Sequence, residues 1–372
     1  MTLPPPARPG DTIEAIDTPA LVVDLEAYEH NLARMARLVA ASPKRLRPHA
    51  KTHKSPVVAL DQIARGAVGV CCQKVSEAEV LVWGGVRDVF VSNEVVGAAK
   101  IARLAGLAAM ARISVCVDDG ATIAPLGAAA TAAGGRLTVF VEVDVGGRRC
   151  GVTPEQAPAL AGAITGTPGL AFGGLQAYHG GAQHIRDVQA RRAAVRSAAD
   201  SAQRAVEALE AAGIACPLVT GGGTGTLEID LEEPVWGELQ CGSYVFMDAD
   251  YLRNPDMGDG APDRFRPALF VLTTVMSVAR PGQVVVDAGH KAAAIDSGLP
   301  TVHGRPDMTY AGASDEHGQI ALADGARAGL GDRLMLVPGH CDPTVNLHDW
   351  FVGVRGGRVE RVWPVAARGA LF

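Results

Sequence analysis

Several features are scarce in this 372-residue sequence, and each scarcity argues against a class of protein. No apolar run approaches the roughly 20 residues of a membrane-spanning helix, and the start MTLPPPARPGD lacks a basic segment followed by an apolar core. The seven cysteines include no CxxC pair, so a disulfide framework is not expected. A net charge of −6 without Lys/Arg clusters argues against nucleic-acid binding. We therefore predict a cytoplasmic protein that binds neither membrane nor nucleic acid.

Charged and aromatic residues are also few, at 20% and 5%, whereas hydrophobic residues make up 48% of the chain. This composition supplies a large apolar core and argues against disorder. At roughly 150 residues per domain, the length predicts two domains or one large barrel with an appendage. Lysine is rare, with six lysines against 28 arginines, and three of the six are Lys44, Lys51 and Lys54. A lysine in this short stretch is therefore a candidate for chemistry that requires an amine.

Short β-branched runs alternate with Ala-rich helical segments between residues 45 and 248. The predicted strands are residues 45–49, 69–73, 88–93, 113–118, 137–144, 174–179, 217–221 and 239–246. Eight strands with helices between them match a closed (β/α)8 TIM barrel, although an open doubly wound sheet would give a similar alternation. We predict an α/β barrel over residues 26–248.

The pattern changes after residue 248, where strand-like runs are separated by Gly, Pro and Asp with hardly any helical period. Residues 249–372 are therefore predicted to form an all-β domain. The apolar run at 20–25 precedes the first predicted helix, 26–41, and no helix before it completes a βα unit. We expect the segment 1–25 to add a strand to the β domain.

Candidate chemistry follows from the barrel, because the working residues of such barrels lie at the carboxyl ends of the strands. The polar residues at these ends are His49, Lys51, His53, Lys54, Gln73, Asp144, Arg148, Arg149, Tyr178, His179 and His184. Lys51 lies among other cations, where an uncharged amine can form a Schiff base with a carbonyl. An ordinary solvated lysine is the alternative.

A glycine-rich loop, residues 221–226, follows the seventh predicted strand, where barrels frequently bind a phosphate. Its N–H groups and threonine hydroxyls can bind phosphate oxygens, although a flexible turn is also compatible with the sequence. A lysine imine and a phosphate site describe either a pyridoxal-phosphate site or a sugar-phosphate aldolase. These residues alone do not separate the two.

The segment PGHCDPTVNLHD contains two candidate metal ligands, His340 and Asp342. Residues i and i+2 of an extended strand point the same way, so the two can share one cation while Cys341 turns away. Two protein ligands completed by water or substrate suit Mn²⁺ or Mg²⁺ better than a closed zinc site. A hydrogen-bonded turn is the alternative.

Seven segments together resemble one family: TPALVVDLEAYEHNL, RPHAKTHKS, CCQKVSEAEVL, QAYHGGAQH, TGGGTGT, GSYVFMD and PGHCDPTVNLHD. They are similar to the D-threonine aldolase and D-serine dehydratase family of fold-type III pyridoxal-phosphate enzymes, over nearly the whole chain. The resemblance implies an alanine-racemase-like architecture, a (β/α)8 barrel followed by a β domain. It also implies a homodimer with active sites near the interface.

The resemblance also implies individual roles. Lys51 resembles the Schiff-base lysine, and Arg149 the arginine that faces the phenolic oxygen of the cofactor. His179 and His184 resemble residues near the ring and substrate, and the resemblance does not show which is the catalytic base. The implied cofactor-binding residues are Lys51, Gln73, Arg149, Tyr178, Thr220, Gly221, Gly222, Gly223, Thr224 and Tyr244.

Within this family, the resemblance implies that the metal motif distinguishes dehydratases from aldolases. The dehydratases have an HxC motif and bind zinc, whereas the aldolases have an HxD motif and bind a harder cation. His340 and Asp342 favour an aldolase that cleaves D-β-hydroxy-α-amino acids, such as D-threonine or D-allo-threonine, to glycine and an aldehyde. A D-serine or 3-hydroxy-D-aspartate dehydratase and a 3-hydroxy-D-aspartate aldolase are the alternatives. A non-catalytic pyridoxal-phosphate carrier and a metal-dependent barrel hydrolase are more distant ones.

Overall fold

A computed structural model of the protein describes residues 4–255, 257 and 263–372. The first three residues of the predicted segment 1–25, and residues 256 and 258–262 of the predicted β domain, lie outside the described residues. The chain divides into two compact units. The barrel unit comprises Ala36–Lys51, Ser55–Gly242 and Ala370–Phe372, and the β unit comprises Met1–Met35, Thr52–Lys54 and Ser243–Gly369.

The chain begins with strand β1 (Ala20–Asp24) and helix α1 (Leu25–Ala40). Eight parallel strands then form one sheet: β2 (Arg45–Leu46), β3 (Val70–Cys72), β4 (Asp88–Glu94), β5 (Arg112–Val117), β6 (Leu137–Glu142), β7 (Leu170–Ala177), β8 (Val219–Gly221) and β9 (Glu238–Leu239). The helices between them are α2 (Pro56–Ile63), α3 (Val75–Trp83), α4 (Ala98–Leu107), α5 (Ile123–Ala132), α6 (Ala157–Thr165), α7 (Val188–Ala211) and α8 (Leu227–Glu232). Among the described residues, no helix combines the length and apolar character that crossing a bilayer requires.

The sheet order β2-β9-β8-β7-β6-β5-β4-β3 closes on itself between β2 and β3. The N–H of Cys71 donates to the carbonyl of Pro48 at 2.8 Å, and His49 forms a parallel bridge with Cys71. The α/β barrel with a separate β region is therefore confirmed, and an open sheet is excluded.

The last predicted strand, 239–246, is wrong beyond Leu239. Residues Ser243–Val245 form a 3₁₀ helix, and the carbonyl of Ser243 accepts the N–H groups of Phe246 and Met247 at 3.2 and 2.7 Å. These local bonds replace a strand ladder. Periodicity cannot separate a short buried strand from a short buried helix, which explains the error.

Local sequence accounts for the regular elements of the barrel unit. The residues Val89, Phe90 and Val91 of β4 are all fully buried, as expected for a parallel strand covered on both faces. Asp187 is the N-cap residue of the long helix α7, and its side chain accepts the N–H of Ala190 at 2.8 Å. This cap satisfies one of the N–H groups that a helix leaves unpaired at its start.

The barrel interior contains a buried polar network. Glu238 is fully buried and accepts hydrogen bonds from Arg47 at 2.9 Å and from the Thr220 hydroxyl at 3.1 Å. The side-chain amide of Gln240 donates to Thr220 at 2.9 Å and to Gln176 at 2.7 Å. Glu238 Oε1 and the side chains of Thr220, Gln176 and Gln240 thus gain partners, which offsets the cost of removing them from water.

The β unit contains one mixed sheet. Its further strands are β10 (Leu269–Arg280), β11 (Gln283–Val286), β12 (Thr301–Val302), β13 (Met308–Ala313), β14 (Gly318–Leu322), β15 (Arg333–Val337), β16 (Trp350–Arg355) and β17 (Arg358–Pro364). β1 pairs antiparallel with β10 and parallel with β16, and β15 pairs with β10 and β12. Two short helices, α9 (Ala249–Leu252) and α10 (Cys341–Val345), complete this unit.

The buried ion pair between Arg47 and Glu238 predicts that replacing Arg47 destabilises the protein more than replacing Arg112 does. Arg47 donates to both Glu238 and Asp88 (2.6 Å), so Arg47→Met leaves the half-exposed Arg45, at 3.4 Å, as the one cationic partner of Glu238 among the described residues. We expect a loss of about 3–5 kcal/mol in the free energy of unfolding, measured by urea denaturation followed by circular dichroism. The control Arg112→Met removes an exposed partner of Asp88 at 3.5 Å and is expected to cost less than about 1 kcal/mol. Equal losses for the two variants would contradict this prediction.

Candidate active site

A cavity of about 360 Å³ lies at the carboxyl ends of the barrel strands, a volume typical of small-molecule sites. Its lining includes five of the residues predicted from sequence: Lys51, Asp144, Arg149, Tyr178 and His184. Lys51 belongs to a 3₁₀ helix, Ala50–Thr52, that follows β2. His184 ends another 3₁₀ helix, Gly181–His184, after β7. The barrel therefore brings together side chains that are far apart in the sequence.

Asp144 and Gly151 shape the loop that presents Arg149. The Asp144 carboxylate accepts the N–H groups of Gly146 at 2.9 Å and Arg148 at 3.0 Å. Burial would raise the pKa of Asp144, but these backbone donors lower it below its ordinary value. Gly151 has φ +103°, and a Cβ there would lie 2.5 Å from the Asp144 nitrogen, so only glycine fits. The guanidinium of Arg149 lies 5.8 Å from the ring centroid of Tyr178.

Lys51 is preceded by a buried histidine that contacts its backbone. His49 accepts the N–H of Lys51 on Nδ1 at 3.3 Å, and its Nε2 lies 2.8 Å from the amide nitrogen of Gln73. The same nitrogen of Gln73 donates to the carbonyl of Ser92 at 3.2 Å. The structure therefore places the predicted residue Gln73 against His49, where it supports the segment that carries Lys51.

The structure distinguishes the two candidate histidines. His184 lines the cavity. His179 accepts the N–H of Ala182 on Nδ1 at 3.3 Å, and its ring packs against Gly146, where a Cβ would lie 3.2 Å from Nε2. Burial lowers the pKa of His179, and the charge of Asp144 only partly opposes this effect. His179 is therefore a neutral packing residue near pH 7, and His184 is the better candidate for a base.

The glycine-rich loop follows β8 and tolerates no side chain at its first three positions. A Cβ on Gly221 would clash with the carbonyl of Ala177, and one on Gly222, which has φ +70°, would lie 2.7 Å from Asp230. A Cβ on Gly223 would clash with the side chain of Gln183. Such a bare, closely packed backbone fits the phosphate of a cofactor.

Two other predicted cofactor residues occupy different surroundings. The hydroxyl of Thr220 is committed to the barrel interior, where it donates to Glu238 and accepts from Gln240. Tyr244 belongs to the β unit, where its ring lies 5.6 Å from that of Phe265. His53 and Lys54 also belong to the β unit, whereas Lys51 belongs to the barrel unit. Lys54 and Tyr244 are both buried.

An acidic side chain that was not predicted from the sequence, Glu142, lies in the same cavity as Arg149. Glu142 ends β6 and lines the cavity, and burial together with the charge of Glu94 raises its pKa to about 8. The raised pKa favours the protonated carboxyl, and a protonated Glu142 leaves the positive charge of Arg149 available to an anionic ligand. Its position at a strand end, two residues before Asp144, was a signal that could have identified it.

Three further groups lie close enough to share a metal ion. Oxygens of Glu94 and Asp118 and the Sγ of Cys150 lie within 4.8 Å of one another. Burial, followed by the charge of Glu94, raises the pKa of Cys150 to about 11. A metal binds the thiolate form, so binding at this cluster would require the thiol to lose its proton.

The predicted metal pair lies at a helix start instead of on an extended strand, so that part of the expectation is wrong. His340 is extended and caps α10, and Asp342 lies in the first turn of this helix. Pro343 fixes a backbone angle compatible with a first helical turn. Cys341 is buried and donates its Sγ–H to the carbonyl of Met247 at 3.2 Å, so it does turn away.

Carboxylates surround His340 within the β unit. Its Nδ1 lies 2.7 Å from Asp296. Burial alone would lower the pKa of His340, but the charge of Asp342 and the hydrogen bond to Asp296 outweigh burial and raise it. Burial raises the pKa of nearby Asp248 to about 7. An imidazole among several carboxylates is a donor set that fits a hard divalent cation.

Comparisons with known proteins agree with this architecture. The family model described as "Alanine racemase, N-terminal domain" matches residues 23–250, and "Putative serine dehydratase domain" matches residues 268–354. The chain is 50% identical to a 3-hydroxy-D-aspartate aldolase of Paracoccus denitrificans, covering 98% of this chain and 95% of the relative. It is 49% identical to a D-threonine aldolase of Arthrobacter sp., with coverages of 99% and 97%.

A solved structure, the D-threonine aldolase from Filomicrobium marinum, matches with a TM-score of 0.96 and 50% identity, over 99% of this chain and 100% of that one. A D-threo-3-hydroxyaspartate dehydratase from Delftia sp. is less similar, at 32% identity over 90% of this chain and 93% of the relative. The chain therefore belongs to the D-threonine aldolase and D-serine dehydratase family of fold-type III pyridoxal-phosphate enzymes. Its predicted assignment to the aldolase-type lyases is confirmed.

The cavity predicts which lysine carries the cofactor. After incubation with pyridoxal phosphate, borohydride reduction and proteolysis, mass spectrometry is expected to find the phosphopyridoxyl group on Lys51. Lys44 is the internal control, because its amine is buried and donates to the carbonyls of Glu233 and Trp236 at 2.5 and 2.9 Å. Modification of Lys44 or Lys54 in place of Lys51 would contradict the assignment.

Proposed function

We propose that the protein is an aldolase, dependent on pyridoxal phosphate and a divalent cation, that cleaves D-β-hydroxy-α-amino acids to glycine and an aldehyde. D-Threonine and D-allo-threonine are the proposed substrates. The observation that carries this proposal is the shared cavity of Lys51, Arg149, Tyr178 and His184. The aldolases among the relatives support the same reaction class.

The barrel residues have distinct roles toward the cofactor. Pyridoxal phosphate, when bound, withdraws electrons from the bond that breaks at Cα of the substrate. Lys51 provides the amine to which the cofactor attaches, and Arg149 provides a positive charge for its phenolic oxygen. The loop 221–226 binds the phosphate, and Tyr178 packs beside Arg149. These roles orient the cofactor within the cavity, where correct orientation accounts for much of the rate.

The proposed cation ligands are His340 and Asp342, with Mn²⁺ or Mg²⁺ as the cation. A bound divalent cation lowers the pKa of the β-hydroxyl of the substrate and orients it. The carboxylate at position 342 supports this choice, because a thiolate at that place would favour zinc. The thiol of Cys341 does not compete, since burial raises its pKa well above the ordinary value.

The proposed base is His184. In this reaction a base removes the proton of the β-hydroxyl, and an imidazole is a side chain suited to this task. His184 lines the cavity, whereas His179 is packed against Gly146 and hydrogen-bonded to the backbone.

A second candidate function is cleavage of 3-hydroxy-D-aspartate, because a relative of that name is as similar to this chain as the D-threonine aldolase is. The two substrates differ only in the group on the β carbon. The homodimer and the cytoplasmic location expected from the sequence stay predictions. Light scattering after size exclusion measures the first of these directly.

Product analysis tests the reaction. We expect purified protein, supplied with pyridoxal phosphate and Mn²⁺, to release glycine and acetaldehyde from D-threonine and neither from L-threonine. A chelator, or the variant Asp342→Ala, is expected to abolish release without removing the cofactor. Formation of 2-oxobutanoate and ammonia would instead indicate a dehydratase.

A matched pair of variants distinguishes the roles of His184 and His179. His184→Gln is expected to lower kcat about 100- to 10,000-fold, the usual contribution of a general base. His179→Gln should lower kcat less than about 10-fold, because this side chain mainly packs and accepts a backbone N–H. Initial rates with D-threonine at saturating pyridoxal phosphate measure both. The reverse order of effects would assign the base to His179.

A further inference from the structure

Two buried side chains hold the glycine-rich loop. Gln183 is 1% exposed and Asp230 is 2% exposed. Gln183 accepts the N–H of Gly225 on Oε1 at 2.9 Å, and its Nε2 donates to the hydroxyl of Thr226 at 2.9 Å. The oxygen and the nitrogen of this side-chain amide are therefore both bonded to the loop, so Gln183 fixes the position of the second half of the loop.

Asp230 fixes the first half of the loop. One of its carboxylate oxygens accepts the N–H of Gly223 at 3.1 Å and the hydroxyl of Thr226 at 2.5 Å. The hydroxyl of Thr226 thus donates to Asp230 and accepts from Gln183. This hydroxyl and the N–H groups of Gly223 and Gly225 are engaged inside the protein, so they shape the loop and are not its phosphate donors.

The same two residues explain why positions 222 and 223 of the loop are glycines. A Cβ on Gly222 would lie 2.7 Å from the Asp230 carboxylate, and one on Gly223 would clash with the Gln183 amide. The two side chains therefore pack directly against the bare backbone. Gln183 also belongs to the 3₁₀ helix Gly181–His184, so it joins the loop after β8 to the loop after β7.

We propose that Gln183 and Asp230 are positioning residues that hold the loop in the shape that binds the phosphate of the cofactor. The inference rests on the proposed function, because it takes the loop as the phosphate site. A loop that is already ordered loses little conformational freedom when a ligand binds, which strengthens binding. Removing either side chain also leaves buried N–H or hydroxyl groups of the loop without a partner.

The test compares pyridoxal phosphate with pyridoxal, which lacks the phosphate. Equilibrium dialysis against the cofactor-free protein measures both affinities without turnover. Gln183→Ala and Asp230→Ala are expected to weaken pyridoxal phosphate binding about 10- to 100-fold. Both variants should keep the affinity for pyridoxal within about twofold. Asp230→Asn should weaken binding less, because its amide oxygen can still accept the N–H of Gly223.

The matched control is Gln203→Ala, which removes an exposed glutamine of α7 that contacts only Glu207 in the described structure, at 3.2 Å. It should change neither affinity. Unchanged pyridoxal phosphate binding in Gln183→Ala and Asp230→Ala would overturn the inference. Equal losses for both ligands would also overturn it, since a merely structural role weakens both. If Gln183→Ala fails to fold, Asp230→Ala still decides the question.

The wild-type protein separates this inference from the proposed function. A wild type that binds pyridoxal phosphate much more tightly than pyridoxal supports the loop as a phosphate site. A wild type that binds both equally overturns the inference and leaves Lys51 as the attachment point. If wild type binds neither, the proposed function itself is wrong.

Discussion

The candidate active site depends on one constraint, the closure of eight short parallel strands through backbone hydrogen bonds. Strands β2 and β9 contain two residues each, so few ladder bonds hold this part of the sheet. Arg47, just after β2, compensates by bonding to Glu238 on β9 and Asp88 on β4. Because all strands run the same way, closure gathers their carboxyl ends at one mouth. The residues that follow β2, β6 and β7 meet there for this reason.

Charge within the cavity is set by burial. Burial and the neighbouring Glu94 raise the pKa of Glu142, which favours the neutral form of its carboxyl. Arg149 therefore keeps a positive charge that an anionic oxygen of a bound ligand can use. A fully charged Glu142 would neutralise that arginine. The same element that shapes the cavity, the end of β6, thus also sets its electrostatic character.

Much of the site was predictable because strand ends can be located in the sequence. Lys51, Arg149, Tyr178 and His184 were nominated from their positions after predicted strands, and they line one cavity. Gln183 and Asp230 were not predicted from the sequence. Gln183 forms hydrogen bonds to a loop some 40 residues away, and Asp230 accepts a hydrogen bond from the same loop within a buried turn. No local pattern marks such contacts. The helix at Cys341–Val345 was missed because an HxD motif has no period that separates a strand from a helix start.

The sequence by itself determined the class of fold, and it nominated the lysine and arginine that we propose for the cofactor site and the motif that we propose for the metal. Alternating β and α segments and glycine-rich strand ends are local features, and local features can be recognised directly in the amino-acid sequence. Only the tertiary structure decided which histidine faces the cavity, that the Thr220 hydroxyl bonds within the barrel interior, and that the pKa of Glu142 is raised. Each of these depends on burial and on partners from distant strands, and the free energy of a buried polar group is set by the partners that the closed barrel supplies.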